Sequence, residues 1–325
     1  MQVPKVAGRL KAEDIGLVIN TADPYSVEVG AYYVARRGLR PDQVLRVELP
    51  VQPRLAPAEL ERLRLRIDEH FGARVQALAL AWRVPYAVQC NSLTGALTMG
   101  FDSGLCEHSC GRSRASAYFN SRSSRPLQDH GMRLSMLLAA PDVDQAKAMI
   151  DRGVSSDRSQ GLRGAPPSTV LLADTTDASR NVRARLYPPA GLLRPLGVDL
   201  KVEPSEAMQA RTRVLLYQTG LAQVPHLATL GFLPGALADH LTSFGGQLDR
   251  EQGQMTVLAW IGAGATASYG TVSEPCNHLQ KFPHPQVLLL HYAQGATAIE
   301  AYWKSVAWPL QGVFVGEPLA APFAR

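Results

Sequence analysis

Residues 15–50 read IGLVINTADPYSVEVGAYYVARRGLRPDQVLRVELP, and the order of signals in them decides the fold. The continuous apolar run 15–21 has the length and content of a strand buried on both faces. Asp23-Pro24-Tyr25-Ser26 then supplies a turn and a helix N-cap. The segment VEVGAYYVARRG continues at helical spacing, with Val27, Ala31, Val34 and Ala35 predicted inward and Gly38 as the stop. A second apolar run, 44–49, reads as another strand. Strand, helix and strand within this one stretch form a βαβ unit, which predicts a parallel sheet and a right-handed crossover.

The alternation continues downstream. Helix 57–71 carries Leu60, Leu63, Ile67 and Phe71 on one stripe, and VQALALAWRVP (75–85) reads as a third buried strand. The pattern then fails over 86–128, where Gly, Ser and Asn gather with three of the four cysteines. A stretch of this length without a period is either a stapled loop or a lid. A strand in 133–142 precedes a capped helix with Val143, Ala146, Met149 and Ile150 inward. Further strands are predicted at 169–173, 196–202 and 211–220, with a basic helix at 178–187 between the first two. Two apolar runs follow, PGALADHLTSFGG (234–246) and MTVLAWIGAGATASYGTVSEPCNH (255–278), both read as strands opening into polar loops. Helices at 285–293 and 297–306 and the run VFVGEPLAAPF (313–323) close the chain. With six to eight strands alternating with helices, the expected class is α/β, a mainly parallel sheet with helices on both faces. Residues 1–14 are expected to form a polar arm, and 15–325 one domain carrying the 86–128 insertion.

Composition sets the outer bounds. The 325 residues are 46% hydrophobic and 19% charged, an ordinary globular balance. The net charge of +5 is scattered, and even the Arg112-to-Arg125 region is mostly serine between its arginines, so no nucleic-acid stripe is formed. No run approaches the ~20 apolar residues of a membrane span, and MQVPKVAGRLKAEDIG has no signal-peptide apolar core. The four cysteines, Cys90, Cys106, Cys110 and Cys276, leave three readings open. They form disulfides of an exported chain, or a metal site of Cys106, His108 and Cys110 with Cys276 or His278, or free thiols. No cofactor motif is complete: GAGAT (262–266) lacks the remainder of a phosphate loop and reads as tight packing. Tyr302, Trp303 and Trp308 read as packing residues.

Candidate chemistry gathers where apolar runs end in polar residues, because crevices in α/β proteins lie beyond the carboxyl ends of parallel strands. Asp239, His240, Thr242 and Ser243 form the densest cluster, with Ser243 as a nucleophile if His240, His278 or His226 reaches it. Cys276 with His278 or His284 is a second possible nucleophile, or else one half of a disulfide, with Cys90 as one partner. Glu274 and Asp239 are each a possible base or a loop-fixing acceptor. The 239–243 and 274–278 rims are expected on one sheet edge, with the 86–128 insertion over them.

Five stretches, LVINTADPYSVEVGAYYVARRG, LADHLTSFGG, GATASYGTVSEP, EAYWKSV and VGEPLAAPF, resemble a family of bacterial, often exported, proteins with no assigned activity. The order of elements also resembles gingipain-type, caspase-like cysteine peptidases, whose chain closes with GDP where this one has GEP. In those peptidases one strand ends in a His-Gly pair bearing the general base and the next ends in the nucleophilic Cys. The resemblance places Thr219 and Gly220 at the first position and Thr242 or Ser243 at the second, so both members of the dyad are replaced. It therefore implies a caspase-like fold and an exported, periplasmic or extracellular, binding or assembly protein without ordinary peptidase chemistry. A protein or peptide is the expected partner, and no cofactor or metal is expected. The alternative is a peptidase-like hydrolase using Ser243 or Cys276.

Overall fold

Residues 2–162, 164–249 and 253–325 are described by the computed structural model, so the first residue of the arm and 250–252 of the polar break lie outside the described residues. All six residues of β1 (Ile15–Asn20) are buried, as the apolar run requires. The Asp23 carboxylate accepts from the Tyr25 amide to start α1 (Pro24–Arg37), and Gly38 closes it at φ 64°. The predicted inward face of α1 is corrected. Ser26, Val29, Gly30 and Tyr33 face the core, while Val27 is 40% exposed. The reason is polar and steric. Ser26 Oγ accepts from the Asn20 amide (2.8 Å), Tyr33 donates to Glu317 (2.9 Å), and a Cβ on Gly30 would overlap Ile19.

After β2 (Val44–Val47) and β3 (Arg54–Leu55), α2 (Pro57–Phe71) buries Leu60, Leu63, Ile67 and Phe71 as its stripe requires. β4 (Ala77–Leu80) leads into the insertion, which is more ordered than its sequence suggests. It contains β5 (Ala87–Val88), β6 (Asn91–Ser92), α3 (Leu93–Met99), α4 (Gly104–Glu107) and the start of α5 (Pro126–His130). Ser92 caps α3, whose residues pack against β7 (Leu134–Leu137), while Cys90, Ser109 and Cys110 of the insertion reach the 273–281 segment, as expected of a loop at that rim. Next come α6 (Val143–Ser156), β8 (Ser168–Asp174), β9 (Gly191–Leu193), β10 (Val198–Pro204) and β11 (Val214–Thr219). The basic helix expected at 178–187 is a 3-10 turn, Asn181–Leu186. The first apolar run is β12 (Phe232–His240). The second is corrected: it is a short helix, α7 (Leu258–Ala263), followed by β13 (Ala267–Thr271). α8 (Pro285–Ala293), α9 (Ala298–Ser305) and β14 (Gly312–Gly316) complete the chain.

Eleven strands form one sheet in the order β2-β1-β4-β7-β14-β13-β12-β11-β8-β10-β9, more than the six to eight expected. The class is α/β with a mostly parallel sheet: within it, among the described residues, only β13·β14 and β9·β10 pair antiparallel. The β13·β14 junction divides the sheet into two blocks that run in opposite directions, each parallel apart from the edge strand β9. The carboxyl ends of β11, β12 and β13 therefore lie on the edge where the other block has its amino ends. Helices cover both faces. Gly16 passes against Phe71 of α2, whereas Ile19, of opposite parity on the strand, meets Gly30 of α1. Trp82, Trp260 and Trp303 are fully buried, and Trp303 stacks on Phe314 with centroids 4.3 Å apart, as packing residues should.

Candidate functional site

The ends of β11, β12 and β13, at Thr219, His240 and Thr271, form one rim. Beyond β12 the chain folds back onto β13 with backbone against backbone. Gly246 donates to the Thr271 carbonyl (2.9 Å), and a Cβ on Gly246 would overlap the Gly270 carbonyl. That contact requires the glycines of Ser-Phe-Gly-Gly and Ser-Tyr-Gly-Thr. The Thr271 hydroxyl lies within hydrogen-bond reach of the Thr242 and Ser243 carbonyls (3.0 and 2.8 Å), fixing the turn that presents Ser243. On the other flank Gly220 abuts the Arg180 carbonyl with no space for a Cβ, which seats 177–181 on the end of β11.

A cleft of about 220 Å³ lies between these segments, lined by Ser179, Arg180, Thr242, Ser243, Glu274 and Asn277 together with Leu241, Pro275 and Cys276. The two expected rims thus share one sheet edge. Thr242, Ser243, Glu274 and Cys276 face the cleft, but Asp239, His240 and Thr219 do not line it.

Asp239 and His240 are consecutive on a strand and point to opposite faces. The Asp239 carboxylate pairs with the Arg183 guanidinium and accepts from Gln218 Nε2 (2.9 Å). Its side chain is 0% exposed and that of Arg183 only 2%. Burial raises the Asp239 carboxyl above the usual carboxylate range, while the Arg183 charge and the Gln218 amide pull it back. Arg183 also donates to the Thr219 carbonyl (3.0 Å), tying β11 to β12. The Thr219 hydroxyl is buried without a partner among the described residues.

His240 is held more tightly still. Indole is a donor only, so Trp260 Nε1–H must donate to His240 Nδ1 (2.9 Å). The ring proton is then on Nε2, which donates to the Met255 carbonyl (2.9 Å). Both nitrogens are committed, and burial pushes the imidazole pKa down to about 4. This ring has no lone pair left for Ser243, so His240 cannot serve as its base in this arrangement.

None of His226, His278 and His284 lines the cleft. His278 is exposed and packs its ring against Trp308, with centroids 5.9 Å apart. His226 sits at φ 61° in an exposed turn, and His284 is the half-buried N-cap residue of α8. No imidazole hydrogen-bonds the Ser243 hydroxyl among the described residues.

Cys276 is bonded to Cys110, and Cys90 to Cys106, which corrects the Cys90–Cys276 pairing. A closed disulfide holds no thiolate, so neither the Cys276 nucleophile nor the thiolate ligands of the metal reading exist in this form. Glu274 fixes its own loop: its carboxylate accepts from the Cys276 amide (2.8 Å) and its carbonyl accepts from Gln311 Nε2 (3.0 Å). Cys276 and Asn277 follow at φ 56° and 48°, and Asn277 Nδ2 reaches across the cleft to the Ser179 carbonyl (3.1 Å). In GAGAT, Gly264 ends α7 and the Thr266 hydroxyl accepts from the Gly235 amide (2.9 Å), so the segment is used for packing.

Four residues that organise the site were missed in the sequence. Arg183 and Arg180 sit among other arginines in a basic stretch with no signal separating them. Arg180 bridges Asp177 (2.8 Å) and the Thr242 hydroxyl (3.2 Å). Gln254 accepts from the Thr242 hydroxyl (2.7 Å) and the Phe244 amide (2.8 Å). Lys281 is buried and donates to the Ser109 carbonyl of the insertion (2.7 Å), with burial lowering its pKa to about 8.

Two disulfides fit a chain matured in an oxidising compartment outside the cytoplasm. Among the described residues no helix is long and apolar enough to cross a membrane. Comparison with protein-family models, curated proteins and solved structures returns no match.

Proposed function

We propose that this is a non-catalytic exported binding or assembly protein whose cleft receives a short segment of a protein or peptide partner. One observation carries the reading: His240, the imidazole nearest in sequence to Ser243, has both nitrogens committed to Trp260 and Met255. A serine without a base is a poor nucleophile. The resemblance in element order to caspase-like peptidases supports the same view, because Thr219 stands at the position of their histidine and Thr242-Ser243 at that of their cysteine. The lining suits peptide recognition. Arg180 and Glu274 offer opposite charges, and Ser179, Ser243 and Asn277 offer neutral donors and acceptors. The disulfides favour a periplasmic or extracellular location.

Two measurements on the intact protein test the reading. A fluorophosphonate probe should leave Ser243 unlabelled under conditions that saturate a control serine hydrolase. Peptides selected from a random display library should bind the parent and lose binding in Ser243→Arg, whose side chain would fill the cleft. Labelling that disappears in Ser243→Ala, or selected peptides indifferent to Ser243→Arg, would replace this reading, the former with a serine hydrolase.

A further inference from the structure

The Cys110–Cys276 disulfide joins two parts of the chain 166 residues apart: the 86–128 insertion and the cleft wall. Cys276 lines the cleft, and Cys110 is exposed. Cys276 itself takes φ 56°, a conformation costly for a residue with a Cβ, and Asn277 follows at φ 48°. Asn277 then ties this wall to Ser179 on the other side. Lys281 places its ammonium on the carbonyl of Ser109, the residue before Cys110.

We propose that Cys110–Cys276 is a site of reversible thiol–disulfide exchange with a dithiol reductant, and that its reduction opens the cleft. The inference rests on the binding reading only in taking this cleft as the site. A reductant thiolate attacks the exposed Cys110 Sγ. A reductant–Cys110 bond forms, the Cys110–Cys276 bond breaks, and Cys276 leaves as thiolate. The second reductant thiolate attacks the reductant sulfur of the mixed disulfide and releases the Cys110 thiolate. The dithiol departs as its own disulfide, having given two electrons, and its two protons end on Cys110 and Cys276. Once free, the 276–277 backbone can return to negative φ, which draws Asn277 from the Ser179 carbonyl.

The second disulfide is built to stay closed. Cys90 and Cys106 are 16 residues apart within the insertion. Asn91 Nδ2 lies 3.2 Å from Cys90 Sγ and 4.0 Å from Cys106 Sγ while donating to the Asp102 carbonyl (2.8 Å). Asn91 Oδ1 accepts from the Asp102 amide (3.2 Å), so the two sulfurs remain neighbours after reduction and the bond re-forms.

The test is a dithiothreitol titration of the full chain at neutral pH, with alkylation, peptide mass mapping and amide hydrogen exchange. Cys110 and Cys276 should become alkylated at roughly tenfold lower reductant than Cys90 and Cys106, as relief of the backbone conformation at 276–277 implies. Amides at 177–181 and 272–281 should exchange at least about tenfold faster, with β11, β12 and β13 unchanged. The Cys110→Ser/Cys276→Ser double variant should show that pattern without reductant. Reduction of Cys90–Cys106 first or together with it, unchanged exchange at the cleft, or faster exchange throughout the three strands would overturn the proposal. Should the double variant not fold, the titration of the parent decides alone. Neither readout involves Ser243 chemistry or a peptide, so failure here is distinct from failure of the binding reading.

Discussion

Replacing Arg183 with Met tests whether Asp239 is a structural ion rather than a spare catalytic group. The Asp239 side chain is 0% exposed and is neutralised by Arg183, with Gln218 as its only other side-chain donor among the described residues. Removing the guanidinium leaves a buried carboxylate holding one neutral hydrogen bond, which costs about 3–5 kcal/mol. Asp239→Leu strands the cation instead and should cost a similar amount. The double variant Arg183→Met/Asp239→Leu removes both charges at comparable volume. Its residual penalty should be about 2–3 kcal/mol, for the lost bonds from Arg183 to the Thr219 carbonyl and from Gln218 Nε2 to the Asp239 carboxylate. The expected coupling is therefore at least about 3 kcal/mol. Urea unfolding followed by fluorescence of the buried Trp82, Trp260 and Trp303 measures it, with both disulfides intact. Additive single effects, or an Arg183→Met penalty under about 1 kcal/mol, would show that Asp239 is solvated or otherwise paired, and the reasoning would fail.

Two further perturbations bear on the same rim. His240 has its pKa lowered from 6.5 to about 4, so the unfolded chain binds more protons between those values. Its contribution to stability is present above pH 6.5 and is lost as pH falls toward 4, amounting to about 3 kcal/mol. Comparing unfolding free energies of the parent and His240→Phe at pH 7 and pH 4.5 should show the acid sensitivity shrinking in the variant; equal slopes would contradict the assignment. Gly220→Ala should cost about 2–4 kcal/mol in urea unfolding, because its Cβ would overlap the Arg180 carbonyl, and should accelerate amide exchange at 177–181. A variant within about 0.5 kcal/mol of the parent would show that this segment is not seated by Gly220.

Local signals in the sequence match the structure where burial and period agree. The apolar run of β1, the Asp23 cap of α1 and the stripe of α2 are all present as read. The inward face of α1 was misread because Ser26, Gly30 and Tyr33 face the core for a hydrogen bond and a close approach, which counting apolar residues misses. The stretch 255–271 divides into α7 and β13, and short apolar runs do not distinguish buried helix from buried strand. The reversal of strand direction at β13·β14 is set by pairing between distant segments, so no local pattern encodes it. At the site, the two polar rims and their meeting on one edge were legible as polar loops after apolar runs. The roles of His240 and Asp239 were not, because they depend on Trp260 and Arg183, remote partners that a sequence does not pair. The disulfide connectivity was likewise open until the insertion was placed.

Everything above turns on His240 being sealed into the structure and unavailable to Ser243. Nitrogen-15 NMR of a histidine-labelled sample tests it directly. The His240 resonances should report a neutral ring protonated on Nε2, with no titration above about pH 5, in keeping with a pKa of about 4. A His240 ring that titrates between pH 6 and 7, or that carries its proton on Nδ1, would contradict the claim and return the cleft to the catalytic reading.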